Sequence, residues 1–318
     1  MAVPAFPANG AMKVRWVWTG AILAAPFLLF FAARGAISLA TRIVEARYPP
    51  PGKMVFAGGF RLHLYCIGGG SPTIVLEPGM GTDWVSWRGI AQKLAQSHEV
   101  CMYDRGGYGW SDAGPLPRTA LELANELHTL LSNAAVPRPY LLSVHSFGGY
   151  IARIYASHFP ETLQGVVMVD AIQEEDGHQP VDRRGLRTLI PPLGSDRLKR
   201  LLEGTNALPP DLRAAPKAYQ DRFLFASSLR QLKYERNEFD SLPLTEAEVR
   251  AAPFPSELPL TVITAGRNAQ HWEQQSRLAR LSRLGKHIRA GESGHAVQLS
   301  QPEIIVDAVE EMIKEGRR

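Results

Sequence analysis

A mostly parallel β-sheet covered by helices on both faces is the fold class this sequence predicts. Three observations predict it. Short apolar runs alternate with stretches of helical spacing from Thr73 to Val169. The alternation resumes at Leu260 and continues to Lys314. Between the two, from Ile172 to Leu258, no strand pattern appears, which reads as an inserted helical cap. Strand-then-helix repetition is what parallel crossovers require, and strands buried on both faces read as near-continuous apolar runs. At 318 residues, 45% hydrophobic and 21% charged, the chain is long and apolar enough for a sizeable core.

The elements follow in order. Met1 to Gly10 is small and proline-containing and reads as unstructured. Trp16 to Ala33 carries no charge, with Lys13 and Arg15 before it and Arg34 after it. As a helix it reaches about 27 Å, close to one hydrocarbon thickness. The reading taken is a membrane anchor within a tail spanning 1–47, set against a cleaved signal peptide and a buried core helix. Lys13 and Arg15 favour a cytoplasmic N-terminus, while Arg34, Arg42 and Arg47 pull the other way. The expected arrangement is a short inner tail and an extracytoplasmic domain. Tyr48-Pro49-Pro50-Pro51-Gly52, within a spacer spanning 48–53, is stiff and extended.

The core is expected over 54–171 and 259–318, with the cap at 172–258. Strands are expected at Met54–Phe56, Phe60–Ile67, Thr73–Glu77, Val100–Tyr103, Tyr140–Val144, Val166–Val169, Leu260–Ala265 and His287–Arg289. Helices are expected at Trp87–Gln96, Thr119–Ser132, from Tyr150 to about His158, near Glu273–Leu284, and at Glu303–Lys314. The basic excess behind the net charge of +4 lies between Met1 and Arg61, and the rest of the chain is slightly acidic. That distribution, with no interleaved basic and aromatic residues, excludes a nucleic-acid partner.

Val144-His145-Ser146-Phe147-Gly148-Gly149 places a serine between a strand and a helix. This is the sharp turn that exposes a nucleophilic hydroxyl and sets the next backbone N–H beside it. A serine needs a base, an orienter for that base, and donors for the oxyanion. His295 is the base candidate, in the glycine-containing loop between the last strand and the last helix. His63 sits in an early strand, and His98 and His128 in or near helices. His145 should point away from the exposed tip of the turn. His178 and His271 fall in loops and stay open. Asp170, ending the Val166–Val169 run, is the acid candidate, ahead of Glu273 and of Asn268 as a weaker orienter. The oxyanion donors expected are the N–H groups of Phe147 and of Met80, in Glu77-Pro78-Gly79-Met80-Gly81. Asp104 to Ser111 has neither Walker nor dinucleotide spacing and reads as a structural turn below the pocket. Trp84, Trp87 and Trp110 read as packing residues. No cofactor or metal is implied.

With these residues in hand, the chain resembles the α/β-hydrolase superfamily from about Met54 to Ile313. Asp104-Arg105-Gly106-Gly107-Tyr108-Gly109-Trp110-Ser111 is similar to the family's Asp-Arg-x-Gly-x-Gly-x-Ser turn. Val144 to Gly149 is similar to its Gly-His-Ser-x-Gly-Gly elbow. Val144 stands where glycine is usual, which points to a tighter or displaced elbow. Pro78 stands in the place of the oxyanion-loop histidine, and Asp170 at the less common position after the sixth strand. The resemblance implies an eight-stranded sheet. It also implies that Cys66 and Cys101 face each other on neighbouring antiparallel strands, as a disulfide or as two buried thiols. The function it implies is an esterase- or lipase-like serine hydrolase without cofactor, acting on a small-molecule or lipid-like acyl substrate. The rivals are a hydrolase-fold binding protein without turnover, an acyltransferase, and a carbon–carbon bond hydrolase. The cap carries no pattern that names the substrate, and nothing in the sequence sets the oligomeric state.

Overall fold

The computed structural model describes residues 49–174 and 229–316, with isolated positions between 24 and 47 and at 206, 213 and 220. The positions between 24 and 47 are helical and exposed. Most of the Trp16–Ala33 stretch, residues 175–228 of the expected cap apart from 206, 213 and 220, and His178 lie outside the described residues. Among the described residues no helix is long and apolar enough to cross a membrane.

The first half of the domain holds β1 (Lys53–Phe56), β2 (Arg61–Ile67), β3 (Thr73–Glu77), α1 (Arg88–Leu94) and β4 (Val100–Tyr103). It continues with α2 (Ala120–Asn133), β5 (Tyr140–His145), α3 (Gly148–His158) and β6 (Leu163–Val169). The second half holds α4 (Leu229–Asp240), α5 (Leu242–Ala251), β7 (Leu260–Ala265), α6 (Ala269–Ala279), β8 (Gly285–Ala290), α7 (Val297–Ser300) and α8 (Pro302–Gly316). All eight strands form one sheet in the order β1-β2-β4-β3-β5-β6-β7-β8. β2 is antiparallel to both of its neighbours, and every pair from β4 onward is parallel.

Period-two side-chain alternation divides the core between the two faces of the sheet. Val75, Leu142, Val144, Val166 and Met168 pack on one face with Leu127, Ile151 and Tyr155 of α2 and α3. Ile74, Leu76, Leu141, Val167 and Val169 pack on the other, against Ile90 of α1 and Ile305, Val309 and Met312 of α8. Each such side chain removed from water contributes about 1.5–3 kcal/mol. The buried tryptophans Trp84 and Trp87 belong to the second face, as packing residues.

Two sequence expectations are refined. Cys66 and Cys101 are register partners on β2 and β4, Cα atoms 4.1 Å apart, and are joined by a disulfide rather than left as thiols. α6 begins at Ala269, earlier than the expected Glu273, because the Asn268 side chain accepts the His271 N–H and caps the helix there. Within 172–258, the helices given residue ranges above are α4 and α5. α5 packs on α2 and α3, and its Thr245 and Glu248 side chains accept the Ala120 and Leu121 N–H groups. Those are donors that the start of α2 would otherwise leave unpaired.

The topology decides where a site can form. From β3 the chain crosses to β4 on one side, then returns to β5 on the other. The two crossovers diverge and open a crevice at the carboxyl ends of β3 and β5, a topological switch point. Glu77 and Val144 are register partners at those ends. The Pro78–Gly81 loop and Ser146 therefore leave the sheet side by side.

Candidate active site

Ser146 follows β5 with φ of +52°, a left-handed conformation that costs a non-glycine residue about 1–2 kcal/mol. Its backbone is held on both sides. The Ser146 N–H donates to the Val169 carbonyl at 3.1 Å, and its carbonyl accepts from Gly149 at 2.9 Å and Ile172 at 3.1 Å. Gly148 makes the close packing possible: a β-carbon there would lie 2.8 Å from Glu77 Cγ and 3.3 Å from Val144 Cβ. Val144 itself is fully buried, and Ser146, half-buried, keeps the left-handed turn. The crowding expected from valine is taken up at Gly148.

His295 lies between β8 and α7. Its Nε2 is 3.0 Å from Ser146 Oγ, and its Nδ1 is 2.7 Å from Asp170 Oδ2. The network assigns the proton to Nδ1, donating to Asp170, and leaves the Nε2 lone pair facing the serine hydroxyl. The imidazole is 61% exposed, whereas the Asp170 carboxyl is 5% exposed. Asp170 directly follows β6 with φ of +43°. Its N–H donates to the Ile263 carbonyl at 2.7 Å, and its Oδ1 accepts the Ala265 N–H at 2.9 Å. Burial works to raise its pKa. Hydrogen bonds from His295 and His271, with the Ala265 N–H, outweigh that and hold the carboxyl below its ordinary range.

The structure thus brings Ser146, His295 and Asp170 into one hydrogen-bonded chain. It leaves the other acid candidates elsewhere: Asn268 caps α6, and Glu273 lies on the surface beside Arg280. His271 is the participant the sequence left open. From the first turn of α6 its Nε2 reaches Asp170 Oδ1 at 2.7 Å, so the carboxylate serves two histidines. The Asn268 cap was the available signal, since it turns the helix over the end of β6.

His145 points inward, as expected, but it has a task. Its Nε2 donates to the His295 carbonyl at 2.9 Å, and the two rings lie 4.6 Å apart. Gln298 Nε2 approaches its Nδ1 at 3.4 Å. Burial, with the nearby His295, lowers its pKa to about 4, so at neutral pH it is an uncharged strut under the His295 loop.

The loop after β3 runs against the serine. A β-carbon at Gly79 would stand 2.8 Å from His145 Nδ1 and 3.2 Å from Ser146 Cβ. The next residue is Met80, half-buried, and Phe147 begins the turn into α3. Among the described residues neither the Met80 nor the Phe147 N–H has a hydrogen-bond partner. The loop's carbonyls, by contrast, are heavily used. Arg105 donates from Nη1 to the Pro78 carbonyl at 2.6 Å and from Nη2 to the Gly79 carbonyl at 2.9 Å. The Asp104–Ser111 segment is a tight structural turn, as expected, and it also has a further part. Its arginine reaches into the loop beside Ser146, which the glycine spacing alone did not reveal.

A family model described as alpha/beta hydrolase fold matches residues 72–298. The uncharacterized protein YqjL of Bacillus subtilis strain 168 is 27% identical over 243 residues, covering 75% of this chain and 82% of YqjL. Among solved structures, a thermophilic esterase from Thermogutta terrifontis aligns with TM-score 0.58 and 19% identity, over 84% of this chain and 99% of its own. An enol-lactonase from Burkholderia xenovorans LB400 aligns with TM-score 0.59 and 19% identity, over 82% of this chain and all of its own. With the family model spanning most of the chain and the sheet order described above, this chain belongs to the alpha/beta hydrolase fold family.

Proposed function

We propose that this protein is a serine hydrolase that cleaves an ester-type bond through an acyl-enzyme, with carboxylic esters first and lactones or amides behind them. The observation that carries the reading is the hydrogen-bonded chain Ser146–His295–Asp170 at the switch point, beside two backbone N–H groups without partners among the described residues. His295 Nε2 takes the hydroxyl proton as Ser146 Oγ attacks the carbonyl carbon. The anionic Asp170 stabilises the imidazolium, and the Met80 and Phe147 N–H groups receive the developing oxyanion. Collapse expels the alcohol, which takes the proton from His295. Water, activated by the same histidine, then attacks the acyl-enzyme, and the acid leaves as Ser146 Oγ regains its proton. The arrangement needs no cofactor.

A fluorophosphonate probe tests this directly. The wild-type protein should label on a single serine and S146A should not. A panel of p-nitrophenyl esters of increasing chain length should find a substrate. Folded wild type that neither labels nor turns over would sink the reading in favour of a binding protein. Turnover that appears only with an added alcohol acceptor would favour an acyltransferase.

The same proposal places the domain outside the cytoplasm on an N-terminal anchor. The uncharged stretch from Trp16 to Ala33 and the Cys66–Cys101 disulfide support it. An anchored enzyme suits lipid-like acyl substrates. The full chain should sediment with membranes and release into solution when residues 1–48 are removed. A full chain that stays in the soluble fraction would end this part of the proposal.

A further inference from the structure

The Arg105 guanidinium has five N–H bonds, and each has an acceptor. Nη1 donates to Glu77 Oε1 at 2.6 Å and to the Pro78 carbonyl at 2.6 Å. Nη2 donates to the Gly79 carbonyl at 2.9 Å and to Glu238 Oε2 at 3.2 Å. Nε donates to Glu238 Oε1 at 2.9 Å. The group is buried, with its cation 4.8 Å from the Tyr108 ring centre and 5.8 Å from that of Phe147. A planar guanidinium with every donor committed has one orientation open to it.

That orientation has a consequence for the neighbouring peptide. The Gly79 carbonyl accepts from Arg105 and also from Thr82, through Oγ1 at 2.9 Å and N–H at 3.3 Å. Carbonyl and N–H of a trans peptide point in opposite directions. Pinning the Gly79 oxygen on the Arg105 side therefore turns the Met80 N–H away from Arg105. One of the two carboxylates that hold the arginine comes from outside the strand-and-turn core. Glu238 lies on α4, inside the insertion between β6 and β7, and is fully buried. It also accepts from Tyr108 Oη at 2.7 Å, and Tyr108 Oη in turn accepts the Gly81 N–H at 3.3 Å. A third link from α4 is direct, Gln231 Nε2 donating to the Gly81 carbonyl at 3.2 Å. One helix of the insertion thus grips the loop at Gly79 through Arg105 and at Gly81 twice.

We propose that Arg105 and Glu238 are a positioning pair for the oxyanion site: α4, through Glu238, holds Arg105 on the Gly79 carbonyl and so aims the Met80 N–H at the reacting carbonyl. The proposal rests on the serine-hydrolase reading above. Neither residue touches the reacting atoms, and activity depends on α4 being docked. Misplacing one oxyanion donor by about an ångström costs up to roughly 100-fold in rate without weakening the hold on the substrate's ground state.

The test uses E238Q, which keeps the side chain's shape and removes its charge. Saturating fluorophosphonate labelling counts competent serines, so kcat is expressed per labelled Ser146 and misfolded molecules drop out. We expect kcat to fall about 10- to 100-fold, with KM within about threefold of wild type. The Ki for phenylboronic acid, whose tetrahedral serine adduct places an oxygen in the oxyanion site, should weaken by the same factor as kcat. A merely structural role for Glu238 would change the number of labelled molecules and leave their kcat and Ki alone, and that result overturns the proposal. Should E238Q not fold, Y108F removes the hydroxyl that bridges Glu238 and Gly81. A parallel loss of about 3- to 10-fold in kcat and Ki then supports the proposal, and wild-type values overturn it. Failure of the underlying reading has a different signature. Wild type itself would neither label nor hydrolyse esters, and the proposal would fall with it.

Discussion

The His63–Asp104 and His295–Asp170 contacts have nearly the same geometry and opposite circumstances. His63 Nδ1 lies 2.9 Å from Asp104 Oδ2, and His295 Nδ1 lies 2.7 Å from Asp170 Oδ2. A serine hydroxyl accompanies each. Yet the side chains of His63 and Asp104 are wholly buried. The other ring nitrogen of His63 is taken by the Pro51 carbonyl, and Ser111 Oγ is committed to the Asp104 carbonyl and the His63 N–H. Asp104 also receives the Trp110 N–H at 3.0 Å. Every polar atom there has a protein partner, so the pair can only hold β2, the Asp104–Ser111 turn and the proline segment together. His295 is mostly exposed, and its Nε2 faces a serine on a left-handed turn at the sheet's crevice. A histidine–carboxylate contact is thus not a catalytic signature by itself. What separates the two is whether the second nitrogen is locked on a backbone carbonyl or faces a serine hydroxyl.

The largest test of that contrast exchanges the two histidines' fates. H295A should lower kcat by roughly 10⁴- to 10⁶-fold while leaving the unfolding midpoint near wild type. H63A should do the reverse, costing about 3–5 kcal/mol in urea unfolding because it strands a buried carboxylate. Its kcat per labelled serine should stay within about threefold, since the two pairs are separate sites. A folded H63A without turnover, or an H295A that melts early, would erase the distinction.

The carboxylates sharpen it next. D170N should cost about 10³- to 10⁴-fold in kcat, because the amide's N–H favours the wrong imidazole tautomer. D104N should appear as lost stability in the same assays. Equal kinetic losses from both would mean that the buried pair also serves the chemistry.

A smaller effect concerns pH. The His145 imidazole is held to about 4 in the fold, against an ordinary value of 6.5. Between those values the unfolded chain binds a proton that the native state does not, so stability rises with pH through this window and is fully present above 6.5. The loss on acidification to pH 4 is on the order of 3 kcal/mol from this group. H145Q, which retains a donor for the His295 carbonyl, should flatten the unfolding free energy between pH 4 and 6.5. An unchanged slope would show that the strut does not carry it.

The smallest effect belongs to His271. Replacing it with alanine removes one of the hydrogen bonds on Asp170, worth about 1 kcal/mol, and should lower kcat about fivefold. A loss as large as that of H295A would make His271 a second base rather than a support for the carboxylate.

How legible all of this was follows a physical boundary. The eight strands and the long helices were readable because burial writes itself locally, as apolar runs and helical spacing such as Val166–Val169 and Leu123 to Leu131. Ser146 was readable because its turn must be built from adjacent small residues. Asp170 and His295 were readable as ends and loops that the sheet order would gather on one edge. Arg105 was not, because a guanidinium satisfied by Glu77, two loop carbonyls and Glu238 draws on partners up to 133 residues apart. His271 was hidden by a misplaced helix start, and only the Asn268 cap, a one-residue hydrogen bond, corrects it. The cysteines were paired in register by the family's sheet order, yet their bond depends on how closely β2 and β4 approach.

The sequence by itself therefore determined the layers of the fold and the strand–serine–helix turn at Ser146, through patterns that neighbouring residues must obey. Tertiary structure alone decided which histidine is free and which is locked, where the Gly79 carbonyl points, and that the inserted helix α4 reaches the loop beside Ser146. These depend on which buried polar atoms find partners, and in a closed core that is settled only when distant segments meet.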